Sequence, residues 1–313
     1  MKILLTSTSF QDTPGAHQLL LNEQGFEVDT MRGPLKTEVL IPIIHQYDGV
    51  ICGDDEYTRE VLMAGKSGKL KVLSKYGIGL DKIDLDAAKE LGIIVTNCPG
   101  VNHTTVAEHV FALLLSYCKH IPEEIGHTRE GNWKRITGTE ILGKTIGIVG
   151  LGKIGKEVAL RAKAFGMQIH AYDLVADEEF NTQLGITFHR ELESMLPQCD
   201  IISLHTGLNS STRHMFNASR FNQMKTGSIL INTARGELVE LIALIENLDS
   251  RHLKAYLTDV LEEEPMKHDH PLRNYSNVFI TPHIGSRTYE SVVRQGTMAV
   301  ENLLNQLNHV NKH

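Results

Sequence analysis

Short runs rich in β-branched and apolar residues alternate with stretches of helical spacing along the whole 313-residue chain. Such alternation is what βαβ units leave behind when parallel strands are buried on both faces. In the first third the pattern predicts strands at Lys2–Thr6, Glu27–Met31, Gly49–Cys52, Val72–Lys75 and Ile93–Thr96, with helices in the gaps. The turn cluster Asn97-Cys98-Pro99-Gly100 follows, and then a long apolar helix from about Thr104 to Lys119, which together mark a junction. A second series is expected at Thr145–Val149, Gln168–Tyr172, Ile201–Leu204, Ser228–Asn232, Lys254–Thr258 and Val278–Thr281, with helices such as Ile154–Phe165 between. From Thr288 to about Asn308 helical spacing returns beyond the second sheet, so this segment is available to pack back on the first module. The expectation is α/β, with two doubly wound parallel sheets: residues 1–98 plus 286–313 as one domain and 99–285 as the other.

Composition narrows the class. A chain of 313 residues exceeds the size at which one core usually keeps growing, which supports two domains. Hydrophobic residues at 41%, charged residues at 22% and 26 glycines suit an ordered α/β protein with many tight turns. A net charge of −7 and the lack of any Lys/Arg run exclude a large basic surface, so nucleic acid is not an expected partner. The four cysteines, Cys52, Cys98, Cys118 and Cys199, fit neither a disulfide framework nor a CxxC pair, which implies a reducing compartment. The apolar start Met1–Leu5 is too short for a signal peptide, and no stretch approaches the roughly 20 apolar residues of a membrane span. A cytoplasmic location and no membrane partner are therefore expected.

Strand Thr145–Val149 runs into Gly150-Leu151-Gly152-Lys153-Ile154-Gly155 and then a helix. In that context Gly150 permits the tight turn, Gly152 lets backbone amides approach a pyrophosphate, and Gly155 lets the helix pack close to the strand. The helix start adds free N–H groups and a positive dipole end for phosphate. The motif alone would equally suit an ordinary glycine-rich turn. Asp173 follows the next strand at 173 − 155 = 18 residues, close to the roughly 20-residue spacing at which a carboxylate grips the adenosine ribose hydroxyls. Leu174, Val175, Ala176, Asp177 and Glu178 include no Arg for a 2′-phosphate, so NAD is expected rather than NADP. Both modules are accordingly read as Rossmann-like, with an interdomain active-site cleft. Upstream, Gly138 to Thr145 matches the P-loop pattern GxxxxGK[ST], but it follows a polar loop and opens a strand, where a P-loop would follow a strand and open a helix.

Three segments at the ends of later strands carry candidate chemistry: Asn232 to Val239, Asp259 to Pro265 and Thr281 to Ser286. Hydride transfer from a hydroxy acid needs a base for the hydroxyl proton, a cation for the carboxylate and a group that tunes the base. His283 suits the first task because imidazole titrates near neutrality. A carboxylate such as Glu264 favours the charged imidazole and fixes its tautomer. Arg235 can bind a carboxylate through two parallel hydrogen bonds and polarise a neighbouring carbonyl. Singly, each would more readily be a capping or solvated residue; their order after a qualified dinucleotide motif changes the balance. His268-Asp269-His270 reads as a solvated turn, so no metal is expected, and GxSxG is absent.

These residues make the chain resemble the D-isomer-specific 2-hydroxyacid dehydrogenases, the group that includes phosphoglycerate dehydrogenase and hydroxypyruvate/glyoxylate reductase. The likeness runs nearly end to end: Lys75 to Asp81, Val106-Ala107-Glu108-His109, Gly150 to Gly155, Ala234-Arg235-Gly236, Asp259-Val260, Glu264-Pro265 and Pro282-His283. It implies a catalytic triad of Arg235, Glu264 and His283, with His283 as general acid/base. It implies that backbone amides around Tyr76, Gly77 and Gly79 hold the substrate carboxylate, with Lys75 and Asn102 also on the substrate side. Asp259 would contact the nicotinamide amide, and His205, Thr206, Thr212, Thr233, Ala234 and Gly285 would line the cofactor cleft beside Lys153 and Ile154. Residues 1–98 plus 286–313 would then bind substrate, in a flavodoxin-like domain, and 99–285 would bind NAD and carry the dimerisation helix of a homodimer. Gly207 departs from the family, which often has Pro there.

The substrate is expected to be a small 2-hydroxy or 2-keto acid. The acidic loop Cys52 to Thr58 argues against phosphoglycerate and Lys75 argues for it; Lys134 or Arg135, on the arm that follows the long helix from Thr104 and that the resemblance implies shares in the dimer, are further candidate cations. No C-terminal regulatory domain of the kind carried by longer phosphoglycerate dehydrogenases is visible. Two alternatives stay open: D-3-phosphoglycerate dehydrogenase, and an NAD-sensing, corepressor-like module that binds protein partners.

Overall fold

A computed structural model describes residues 1–310 of the chain. Its strands are β1 (Lys2–Leu5), β2 (Glu27–Thr30), β3 (Gly49–Cys52), β4 (Val72–Lys75), β5 (Ile94–Thr96), β6 (Thr145–Val149), β7 (Gln168–Tyr172), β8 (Thr187–His189), β9 (Ile201–Leu204), β10 (Ser228–Asn232), β11 (Leu253–Thr258) and β12 (Val278–Ile280). They form two sheets, and the chain divides into two units: Met1–Asn102 with Arg287–His313, and His103–Ser286.

The first unit holds five parallel strands in the order β2-β1-β3-β4-β5. Successive side chains leave a strand on opposite faces, so each strand serves two cores. Leu4, Val50 and Leu73 face Leu40, Val61 and Leu62 on one side. Ile3, Ile51 and Val72 face the C-terminal helix Tyr289–Val310 on the other, through Val292, Ala299, Val300, Leu303 and Leu307. Those five positions recur at helical spacing, which explains why a segment distant in sequence closes this sheet. Gly296 lets the helix approach His17, since a Cβ there would lie 2.6 Å from the imidazole.

The second unit holds seven parallel strands in the order β12-β11-β10-β9-β6-β7-β8, with strand order reversing between β6 and β9. The strands β6, β9 and β10 are buried throughout, which is why they read in sequence as mostly apolar runs without an alternating polar face, their few polar residues, Thr145, Ser203, Ser228 and Asn232, being small or at strand ends. Ile201, Ile229, Ile231 and Leu257 face helices His103–Cys118 and Lys153–Ala164, whereas Ile202, Leu230 and Tyr256 face the opposite core. The edge strand β8 escaped the sequence reading. It has three residues, Thr-Phe-His, of which Thr187 is exposed, too few to show a period. Among the described residues no helix is long and apolar enough to cross a membrane.

Candidate active site

The cofactor motif forms where β6 hands over to helix Lys153–Ala164. Gly150 has φ +95°, and a Cβ on it would lie 2.7 Å from the His205 carbonyl carbon and 2.9 Å from Thr206 N. The loops leaving β6 and β9 therefore touch at the switch in strand order, where open α/β sheets bind ligands. A Cβ on Gly155 would fall 2.1 Å from the Gly150 oxygen, so only glycine permits that approach. Around Gly152, by contrast, a Cβ would meet nothing within 4 Å, which leaves an open cradle in front of the loop. No side chain caps the helix start and no acid stands in its first turn, so its free N–H groups remain for an anion. Lys153 is exposed at the first helical position, while Ile154 turns its side chain into the core.

The Asp173 carboxylate accepts hydrogen bonds from Leu151 N at 2.6 Å and Leu174 N at 2.6 Å, which anchors it beside the glycine loop. Lys156, the nearby cation of the helix, is paired with Asp177. Thr233 Oγ1 is buried with no hydrogen-bond partner among the described residues, as expected of a hydroxyl that a ligand completes. Thr212 ties its own loop together, donating to Gly207 O at 2.8 Å and accepting from Asn209 N at 2.8 Å. His205 sits 2.8 Å from Ser203 Oγ, and burial pushes its pKa down to about 3, so the ring is neutral. An open glycine cradle, an uncapped helix start, an anchored carboxylate and an orphaned hydroxyl together fit a dinucleotide.

The catalytic candidates lie at the ends of β10, β11 and β12. His283 Nδ1 is 2.8 Å from Glu264 Oε2, and Glu264 Oε1 accepts from Leu261 N at 2.9 Å, so the carboxylate is fixed on both oxygens. This arrangement assigns the Nδ1 proton to the carboxylate contact, so the ring nitrogen on the side away from Glu264 is Nε2. His283 has φ +54°, and its N–H points back to Asp259 O at 3.0 Å. Arg235 donates from Nη1 to Ala234 O at 2.7 Å, while buried Asn232 shapes the turn by donating to Arg235 O at 2.8 Å and accepting from Ala234 N at 3.1 Å. A Cβ on Gly236 would lie 2.0 Å from Leu261 C and 2.2 Å from Glu262 N. The turn that carries Arg235 therefore rests against the segment that carries Glu264. Asp259 is buried and accepts from Ile284 N at 2.8 Å and Gly285 N at 2.6 Å. Gly285 is buried against that carboxylate, so its amide is committed to the protein.

The sequence model of "D-isomer specific 2-hydroxyacid dehydrogenase, NAD binding domain" matches residues 111–285. The chain is 40% identical over 297 residues to the hydroxypyruvate reductase of Thermotoga maritima, covering 93% of this chain and 94% of that one. It is 37% identical over 305 residues to the D-3-phosphoglycerate dehydrogenase of Methanocaldococcus jannaschii, covering 97% of this chain but 57% of that one. This chain belongs to the D-isomer specific 2-hydroxyacid dehydrogenases. A solved structure of the NAD-dependent formate dehydrogenase of Staphylococcus aureus in complex with NAD matches it with a TM-score of 0.85 at 30% identity, covering 99% of this chain and 96% of that one. Membership in this dehydrogenase family makes NAD the cofactor and places the chain among NAD-dependent oxidoreductases.

In the first unit of this 2-hydroxyacid dehydrogenase, the turn after β4 differs in detail from its sequence reading. Tyr76 N donates to Cys52 O at 2.8 Å, so that amide is not available to a substrate carboxylate. Gly77, with φ +127°, begins the part of the turn that can present amides; Gly79 follows two residues on. Lys75 is 4% exposed and donates to Gly53 O at 2.6 Å and Asp54 Oδ1 at 2.6 Å. Tyr76 Oη and Asn102 Oδ1 are both buried without a partner among the described residues. Sequence reasoning missed Asn232, Leu261 and Thr281 as scaffold for the triad, and it noted His109 only as part of a family motif. The partner of His109 lies 172 positions away, a distance no spacing rule reads.

Proposed function

We propose that the chain reduces a small, unphosphorylated 2-keto acid to the D-2-hydroxy acid with NADH, and runs the reverse reaction with NAD. The observation that carries this reading is the 2.8 Å contact between His283 Nδ1 and Glu264 Oε2 at the strand ends of an NAD-binding sheet. Bound NADH would supply the hydride. His283 Nε2 gives a proton to the carbonyl oxygen as the alcohol forms and takes it back in the reverse direction, and Glu264 steadies the charged ring between these states. Arg235 binds the substrate carboxylate and polarises the carbonyl. Amides of the turn from Gly77 to Gly79 assist in holding the carboxylate, with Lys75 and Asn102 beside them. The glycine loop from Gly150 to Gly155, with Lys153 and Ile154 in it, takes the pyrophosphate and Asp173 the ribose. His205, Thr206, Thr212, Thr233, Ala234, Asp259 and Gly285 form the wall. The first unit thus binds substrate and the second NAD.

The ion pair of Lys75 with Asp54 supports an unphosphorylated substrate, because the buried ammonium is already neutralised where a phosphate would need it. We also propose a cytoplasmic homodimer. Four free, buried cysteines suit a reducing compartment, and the exposed apolar side chains of Ile121, Ile125 and Trp133 suit a partner surface. The test is NADH oxidation with glyoxylate, hydroxypyruvate, pyruvate and phosphohydroxypyruvate. Turnover is expected with one of the first three, with kcat/KM at least about tenfold above that for the phosphorylated acid, the scale of one charge-assisted hydrogen bond. Preference for phosphohydroxypyruvate would select the phosphoglycerate reading. Tight NADH binding without turnover of any acid would select a binding module.

A further inference from the structure

The backbone that presents His283 hangs from one carboxylate, and a chain of ordered protons ties that carboxylate to helix His103–Cys118. Asp259 Oδ1 accepts from Thr281 Oγ1 at 2.6 Å and from Ile284 N at 2.8 Å, while Oδ2 accepts from Gly285 N at 2.6 Å. His109 Nε2 lies 2.8 Å from Thr281 Oγ1 and 3.4 Å from Asp259 Oδ1. The Thr281 hydroxyl has a single proton, and the carboxylate takes it. Its oxygen is therefore an acceptor toward His109, and the imidazole must carry its proton on Nε2. Burial works to raise the Asp259 pKa, but hydrogen bonds from His109, Thr281, Ile284 and Gly285 outweigh it and hold the group below its ordinary value. The carboxylate stays ionised and keeps its grip on the loop.

His283 needs that grip. Its φ of +54° is a left-handed conformation that L-residues rarely adopt, and neighbours must impose it. Thr281, two residues before His283, and Ile284, immediately after it, both donate to Asp259 Oδ1, and His283 N itself donates to Asp259 O at 3.0 Å. Gly285 closes the set, because a Cβ there would lie 2.9 Å from Asp259 Oδ2 and 3.5 Å from His109 Cδ2.

We propose that His109 is a positioning residue for the acid/base: through Thr281 and Asp259 it fixes the Thr281–Gly285 loop so that His283 meets Glu264 in one geometry. This inference rests on His283 being the acid/base. His109 touches no reacting atom, and its contribution is the orientation of a proton carrier at a strand end.

The test compares wild type with His109→Leu, His109→Gln and Thr281→Val. Glutamine places an amide N–H near the position of Nε2–H and should restore what leucine loses. In His109→Leu, kcat is expected to fall roughly ten- to hundredfold, the scale of a misplaced catalytic group. Its NADH Kd, read by fluorescence titration, should change less than kcat does, because the grips on pyrophosphate and ribose at the glycine loop and Asp173 are untouched even though Asp259 and Gly285 line the nicotinamide end of the wall. Hydrogen exchange at the amides of Ile284 and Gly285 should quicken in the same variant and recover with glutamine. Thr281→Val should reproduce both effects, and the His109→Leu/Thr281→Val pair should be no worse than either change alone, as for links of one chain. Unchanged kcat in His109→Leu overturns the proposal, and so does failure of glutamine to restore either readout, which would leave His109 as packing. If wild type turns over no 2-keto acid while exchange at Ile284 and Gly285 still responds to His109, the loop attachment stands and the dehydrogenase reading is the one that fails.

Discussion

At the scale of single residues, the site is a set of side chains whose options have been closed by their neighbours. Glu264 has one oxygen on Leu261 N and the other on His283 Nδ1, so it can neither swing away nor accept the His283 ring in another orientation. Replacing His283 with Ala removes the proton carrier and leaves the glycine loop and Asp173 untouched. Turnover is expected to fall by about 10²–10⁴-fold, the usual scale for a general acid/base, with NADH affinity retained. Stopped-flow reduction beside an NADH titration separates the two quantities. A collapse of NADH affinity with no separate chemical defect would remove His283 from that role.

At the scale of elements, β7 and β8 are joined by side chains as well as by backbone. Ser194 Oγ donates to Glu191 O at 2.8 Å, so it accepts from His189 Nδ1 at 2.9 Å, and His189 Nε2 must then accept from His170 Nδ1 at 3.0 Å. Both rings are neutral partners in this chain, and burial lowers the pKa of each; the nearby His189 lowers that of His170 further. With folded-state pKa values below the ordinary 6.5, the unfolded chain binds more protons as pH drops through and below that value, so stability is full above it and declines beneath it. Thermal midpoints measured from pH 7.5 down to 5 should therefore fall, and His189→Phe should flatten the slope. Some slope should persist, because burial also lowers the pKa of His17 and His205. A slope identical in wild type and variant would show that folding does not change the protonation of the pair, which would remove it as a source of acid sensitivity. This same region shows where the sequence stops being legible. Strands β6, β9 and β10 announce themselves as apolar runs because both their faces are covered, and the glycine loop is readable because each glycine answers a steric demand. The short edge strand β8 has no such run. The commitment of Tyr76 N to Cys52 and the His109–Thr281–Asp259 chain depend on contacts between segments far apart, which local pattern does not encode.

At the scale of the whole molecule, helix Ile121–Arg129 buries none of its residues, although it is as apolar in places as helices that do. Ile121 and Ile125 are 43% and 46% exposed and, four positions apart, share one face; Trp133 beyond them is 79% exposed. A monomer gains nothing by leaving these side chains in water, whereas a second copy of the chain can cover them in a self-complementary interface of roughly 1,200–2,000 Å². Placing Asp at both Ile125 and Trp133 would strand two carboxylates in the buried part of that interface. An uncompensated buried charge costs about 3–5 kcal/mol, which weakens association by at least about a hundredfold. Sedimentation velocity at micromolar concentration should accordingly show wild type at twice the chain mass and the double variant at the chain mass. The urea midpoint of wild type should also rise with protein concentration, as it does when folding and association are linked, while that of the variant should not. A wild-type chain that sediments as a single copy across this range would leave the arm as an ordinary solvated surface and would remove the homodimer from the reading.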